Sequence, residues 1–436
     1  MKILVTGLCT LHWGRLQYGN IGNYYIVEPL FRQLHRVFPE AEILTTFQMT
    51  DEYIKEENIT VLPMDIYYAW KEDDLELAEE EYKIACEYKD SKNKIIGFDY
   101  IEVLKTVDIL INVSGDMWGD NAEHVGHDRF KVDLLKMRTA QLLGVKTVLF
   151  AGTPGPFSDD DTREFAKEVC GYFDLIVNRE PNSSQNLIKW NFPMEKVEDF
   201  TCPAFLFEPA KKELVEQIIE TEAIPVDSEK PLIGFTIGGF NMPVGPYDLW
   251  PREDQQYDVF EDVIEHIIKV TGGRVMLISH TNGFHLPPNF ELINGRDYPI
   301  LEQLYNVVLK RGVVKKEDIF LIKRPHLPHI TKALIGKCDM FVTGRVHASV
   351  AAITQYVPTV FIEYEKNFIK STKMLGFSSL VGLQDYVCEP GNEKQICENI
   401  TKCWNNQEEV RATLINEIPK VQQKARRAFD AIKDMK

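Results

Sequence analysis

None of the eight cysteines (Cys9, Cys86, Cys170, Cys202, Cys338, Cys388, Cys397 and Cys403) forms a CxxC pair, so no thiolate zinc site is expected. Several sit in apolar, strand-like stretches, the usual place of reduced core thiols. No run of 18 apolar residues occurs, which excludes a membrane-spanning helix. The opening MKILVTG is too short for the apolar centre of a signal peptide, so a cytoplasmic protein is expected. A GxGxxG fingerprint is missing, and with it the usual reason to expect a nicotinamide dinucleotide. Positive charge is also scarce. Against 66 acidic residues stand 49 Lys and Arg, a net charge of −17. A nucleic-acid surface needs a basic face and is not expected. An anionic ligand would have to be held by local arginines and backbone N–H groups against the overall field.

What is present is a globular composition, 44% hydrophobic and 26% charged, in 436 residues, enough for two domains. The most informative stretch is MFVTGRVHASVAAITQYVPTVFIEY, residues 340–364. An apolar run ending at Thr343 reads as a buried parallel strand. Gly344 permits a turn, a small-residue helix follows from Val346 to about Gln355, and a second apolar strand runs from Thr359 to Tyr364. Arg345 and His347 therefore fall where strand meets helix, at the carboxyl edge where open α/β sheets bind ligands. A helix amino terminus already favours an anion. A fixed charge and a titratable imidazole there make a candidate anion site with a proton donor. A structural ion pair and a core histidine are the plain alternative.

The same punctuation recurs along the chain. Lys2–Thr6 reads as a first strand, followed by a long Gly/Asn-rich loop in which Asn20, Asn23, Gly19 and Gly22 could face a ligand. Residues 51–97 are acidic and helix-forming, and are expected to be a solvated face. VDILINV (107–113) is a buried strand ending in SGDMWGDN. There Asp116 could serve as base or bind acceptor hydroxyls, and Trp118 could stack on a sugar ring. Strands at 147–151 and 175–178 lead to GTPGPF and to Arg179, Glu180 and Ser183, with Arg179 a second candidate anion ligand. Phe200–Phe207 reads as the last strand of this half. The βα pattern then restarts, with strands at 232–237, 275–279 and 319–322. His280 and His285 are polar candidates after one of these strands. His124 and His127, at i, i+3 spacing, lack a third partner, so no metal is expected. Two βα arrays give an α/β fold: two doubly wound Rossmann-like domains facing across a cleft, residues 1–208 and 209–436, the second with a helical tail.

Taken in order, YGNIGNYY (18–25), ILINVSGDMWGDN (109–121), AGTPGPF (151–157), VNREPNSSQNL (177–187), CPAFLF (202–207), TGRVHASVAAI (343–353) and VFIEYEKNFIKSTKMLGF (360–377) resemble the polysaccharide pyruvyl transferase family. The resemblance implies a GT-B-like fold and transfer of a pyruvyl group from phosphoenolpyruvate to a sugar of a cell-surface polysaccharide or its lipid-linked precursor, as a ketal. Phosphoenolpyruvate is then a co-substrate, and no resident cofactor is implied. The implied roles are His347 as general acid, Asp116 as base or acceptor ligand, and Arg345, Arg179 and Lys366 as anion contacts. Asn20, Asn23, Trp118 and Ser183 complete the implied substrate contacts. A protein peripheral to the inner membrane face, alone or as a homo-oligomer, is compatible with such an acceptor. Asn23, Ser114, Thr153-Pro154 and Cys202 depart from the family pattern. A nucleotide-sugar glycosyltransferase on the same fold, or a non-catalytic anion-binding relative, are the alternatives.

Overall fold

The computed structural model describes residues 1–7, 19–91, 98–226, 230–244, 246–285, 291–366 and 372–435. Part of the long loop after the first strand (8–18, with Cys9) and part of the last motif (367–371) lie outside the described residues.

Continuous apolar runs make the centre of each sheet. The first sheet contains β1 (Lys2–Thr6), β2 (Glu42–Thr45), β3 (Thr60–Val61), β4 (Ile109–Val113), β5 (Lys146–Gly152), β6 (Leu175–Asn178) and β7 (Val197–Asp199), in the order β3-β2-β1-β4-β5-β6-β7. All its pairings are parallel, with Leu4 opposite both Leu44 and Leu110. Every residue of β4 is buried, as a strand covered on both faces requires. The second half contributes β8 (Leu232–Thr236), β9 (Arg274–Leu277), a short antiparallel hairpin of β10 (Asn282–Phe284) and β11 (Leu292–Asn294), then β12 (Ile319–Leu321), β13 (Met340–Thr343), β14 (Thr359–Ile362) and β15 (Val387–Cys388). Its parallel sheet has the order β12-β9-β8-β13-β14-β15. Strand order reverses between β1 and β4 in one sheet and between β8 and β13 in the other. Doubly wound sheets bind ligands at these reversal points.

The chain forms two compact units that exchange short segments. One comprises Met1–Leu16, Ile26–Pro203 and Lys424–Lys436, the other Gln17–Tyr25 and Ala204–Gln423. The helical tail is therefore divided: from Lys424 on it belongs with the first unit rather than the second. There Phe429 packs against Phe150 at 5.0 Å, and Lys146 Nζ donates to the Met435 carbonyl at 3.3 Å.

Two further expectations are corrected. Residues 200–207 are not a strand. Pro203, which has no N–H to give a ladder, opens a 3-10 turn over Pro203–Leu206, and the run is apolar because Cys202, Ala204, Phe205 and Phe207 are buried. The acidic helix Asp74–Ser91 is not wholly solvated. Glu81 and Lys136, each 2% exposed, pair at 2.6 Å where it packs on the helix Arg129–Leu142. Asp74 is buried too and accepts from the N–H groups of Ala69 and Lys71.

Candidate functional site

In the first unit, three motif segments meet at the carboxyl ends of β4, β5 and β6. The Thr153 N–H donates to the Gly115 carbonyl at 2.6 Å, the Gly155 N–H to the Trp118 carbonyl at 2.8 Å, and the Asp120 N–H to the Pro156 carbonyl at 2.9 Å. Gly119 makes this zipper possible, having a φ of +147° and the Pro156 carbonyl oxygen 2.6 Å from where a Cβ would stand. Asp116 is half-buried on this edge, its carbonyl held by Asn121 Nδ2 at 3.1 Å. Arg179 joins from β6: its Nε donates to Thr153 Oγ1 at 2.7 Å, and the side chain is 2% exposed.

Two expected substrate contacts have other work here. Trp118 is fully buried, its indole set edge-on to Phe130, Phe157, Phe173 and Phe192. It fills the core and has no face left for a sugar. Ser183 is also fully buried; its hydroxyl lies between Glu180 Oε1 and the Gly152 carbonyl, holding the start of the helix Pro181–Lys189. Burial pushes the neighbouring Glu180 carboxyl above the usual range, against the hydrogen bonds from Ser183 and Asn182 and the charge of Arg179.

In the second unit the loops after β8, β9, β13 and β14 converge. Arg345 stands at the N-cap position of the helix Val346–Ile353, and its side chain does not cap it. The guanidinium instead forks onto Asp297, Nε to Oδ2 at 3.0 Å and Nη2 to Oδ1. Asp297 is fully buried and Arg345 8% exposed. Burial alone would lower the arginine pKa; the Asp297 carboxylate and Tyr364 more than offset it, so the charge is fixed. Gly238 leaves room for the pair, since a Cβ there would lie 2.5 Å from Arg345 Nη2 and 2.6 Å from Asp297 Oδ1. Asn241 ties three of the loops together: its Oδ1 accepts from the Gly238 N–H, and its Nδ2 donates to the carbonyls of Gly344 and Glu363.

His347 is half-buried one position into the same helix, edge-on to Phe377 at 5.9 Å. Its Nδ1 edge rests on Gly22: a Cβ on that glycine would come within 2.5 Å of Nδ1. Gly22 belongs to the amino-terminal turn of the helix Ile21–Val37, where Asn20 Oδ1 accepts from the Gly22 N–H at 3.0 Å and the Asn20 carbonyl accepts from the Asn23 N–H at 3.0 Å. This turn is pinned in place by a bridge between Asn20 and Thr281. Asn20 thus holds Gly22 in this turn, and Asn23 is half-buried beside it. His280 is 2% exposed and stands edge-on to Tyr25 at 5.2 Å. Burial, helped by the Arg345 charge, pushes its imidazole down to about 3, so it is neutral. Lys366 is exposed and paired with Glu389 at 2.9 Å.

Several residues of this site escaped the sequence reading. Asp297, Gly238 and Asn241 carry no motif signal of their own. Lys373 is buried, with its ammonium 4.6 Å from the Tyr364 ring centre; its only signal was its place in the segment 360–377. Glu363 accepts from the N–H groups of Tyr364, Met374 and Leu375 and so holds the start of the helix Lys373–Ser379. Among the described residues no group of three or more His, Cys, Asp or Glu could hold a metal ion, and no helix is long and apolar enough to cross a membrane.

Two doubly wound parallel sheets, each with motif-bearing loops at its reversal point, define a two-domain α/β protein of the GT-B-like class. Solved structures agree on the fold. The chain is similar to a glycosyltransferase from Rickettsia africae ESF-5 (12% identity, 99% of this chain and 97% of that one, TM-score 0.53). It is likewise similar to Anabaena Alr3699/HepE in complex with UDP (10%, 99% and 100%, TM-score 0.55) and to the UDP-GlcNAc 2-epimerase of Methanocaldococcus jannaschii (12%, 93% and 92%, TM-score 0.52). The polysaccharide pyruvyl transferase family matches residues 20–366, and the chain belongs to it.

Proposed function

We propose that the protein transfers the pyruvyl group of phosphoenolpyruvate to two hydroxyls of a sugar in a polysaccharide or its precursor. The observation that carries this reading is the seat of His347: an imidazole held on Gly22 in the first turn of a helix, two residues from a fixed guanidinium. In the proposed reaction the protonated imidazole gives its proton to the methylene carbon of the enolpyruvyl group. The methylene becomes a methyl, and positive charge develops at C2. One acceptor hydroxyl adds there and loses its proton; the C2–O bond to phosphate breaks, and the second hydroxyl closes the ketal. One hydroxyl proton restores the imidazolium and the other leaves with phosphate. Arg345, Arg179 and the amino terminus of the helix Val346–Ile353 are the proposed anion contacts, and Asp116 the acceptor ligand or base.

Gly22→Ala tests the seat. The added methyl needs space that Nδ1 occupies, and a shift of the order of 1 Å at a reacting group costs on the order of 10²-fold in rate. Phosphate release from phosphoenolpyruvate with pooled glycan acceptors is expected to fall by about that much at an unchanged melting temperature. Equal release by the variant would refute the seat.

A second reading, a nucleotide-sugar glycosyltransferase, is favoured by one observation: a solved structure of the same fold carries UDP. Thermal shift separates the two. Phosphoenolpyruvate at 100 times its Kd is expected to add about 2.7 kcal/mol of stability. Stabilisation by a UDP-sugar alone would decide for the glycosyltransferase.

A further inference from the structure

Arg345 does not bring its charge to a ligand undiminished. Its guanidinium is forked onto a fully buried carboxylate, and the pair is close to electrically neutral from outside. The loop that carries Asp297 holds another arginine directly before it. Arg296 is exposed, within electrostatic reach of Arg345 and Asp297, and no hydrogen bond or ion pair ties its guanidinium among the described residues.

The surroundings of Arg296 are built. Its guanidinium lies 5.9 Å from the ring centre of Tyr247. Tyr247 stacks on Phe240 with 4.4 Å between centres and 12° between planes. Phe240 in turn lies 5.9 Å from the Arg345 guanidinium and edge-on to Tyr364. One arginine is thus set against each ring of a stacked pair. The loop bearing Tyr247 is braced from beneath by Arg252, which is buried and donates to the carbonyls of Val244 and Pro246 at 2.6 and 2.7 Å. His280 lies within reach of the Arg345 charge. Its Nε2 is buried and has no hydrogen-bond partner among the described residues.

We infer that Arg296 is the anion-gathering residue of this site, closing from the loop before the helix Tyr298–Arg311 onto the phosphate or carboxylate of a small phosphorylated ligand. Arg345, immobilised by Asp297, sets the orientation, and Arg296 supplies the charge that the pair withholds. The stacked Tyr247 guides the planar guanidinium while leaving its donors free for a forked contact. Two carboxylates act on it among the described residues: Asp297, engaged by Arg345, and Asp248, exposed on the Tyr247 loop. The inference deepens the proposed function and rests on it only for the identity of the ligand.

Calorimetric titration with three probes, inorganic phosphate, phosphoenolpyruvate and UDP-glucose, separates the two. Loss of a hydrogen-bonded charge is expected to weaken the bound probe on the order of tenfold to a hundredfold in Arg296→Ala. Arg296→Lys should recover part of that loss, since an ammonium keeps the charge but not the fork. Asp248→Asn should tighten binding slightly. The ligand-free melting temperature should be the same in all three variants, because both side chains are exposed. Wild-type protein that binds phosphate and UDP-glucose but not phosphoenolpyruvate, with both affinities reduced in Arg296→Ala, upholds Arg296 and removes the pyruvyl donor. Phosphoenolpyruvate binding that is equal with and without Arg296 does the reverse. Wild-type protein that binds none of the probes overturns the inference.

Discussion

His347→Ala is expected to lower single-turnover phosphate release from phosphoenolpyruvate by about 10²–10⁴-fold, the range a positioned general acid contributes. The enolpyruvyl carbon is a weak base, and water at neutral pH is a poor acid toward it. An imidazole, with an ordinary pKa near 6.5, is strong enough to protonate it and basic enough to be recharged. Gly22 and Phe377 flank the ring, and Asn20 holds Gly22 in its turn. The ring is only half-buried, so its removal opens no closed cavity in the core, and the melting temperature should move little. His347→Asn, which keeps a polar group of similar size, should be as inactive as alanine if proton transfer is the role. A folded alanine variant that turns over within a few-fold of wild type would place the acid elsewhere.

The largest effect on stability is expected at Asp297. Asp297→Asn leaves the guanidinium of Arg345 in a site that is 8% exposed, with no carboxylate to answer it. Breaking a buried pair from one side costs about 3–5 kcal/mol. At this size that is a fall of roughly 6–20 °C in melting temperature. The second unit should bear it, because Gly238 and Asn241 shape the same loops around the pair. A urea titration of the variant checks it. An unchanged midpoint would mean that Arg345 finds other partners or water, and that the pair does not organise the site.

The fold was largely legible because its central strands are covered on both faces. A strand such as β4 must then be apolar throughout, and that pattern shows without a partner sequence. The same logic hid the short strands. β3 and β15 have two residues each, too few for any pattern, and β10 and β11 pair only with each other. In the site, Arg345 and His347 stood out because a strand, a glycine and a helix announce a sheet edge. Asp297 did not, since its role exists only once the loop after β11 meets the loop after β13, a contact between residues 48 apart. Trp118 misled for a related reason. A tryptophan between two glycines in a polar turn looks like an exposed platform, yet the four phenylalanines that enclose it come from four other parts of the chain.

The exchange of segments between the units bears on synthesis. The first unit comprises residues on both sides of the entire second unit in the sequence, and the ring of Phe429 reaches Phe150 only after residues 204–423 have been translated. While the ribosome is still reading the second unit, the Phe150 side of the first sheet has no Phe429 against it. The nascent first half must stay soluble through that interval with some apolar surface uncovered. Cutting the gene at the boundary near Pro203 would make the interval permanent for one product, and would deprive the other of Gly22, the floor on which His347 rests.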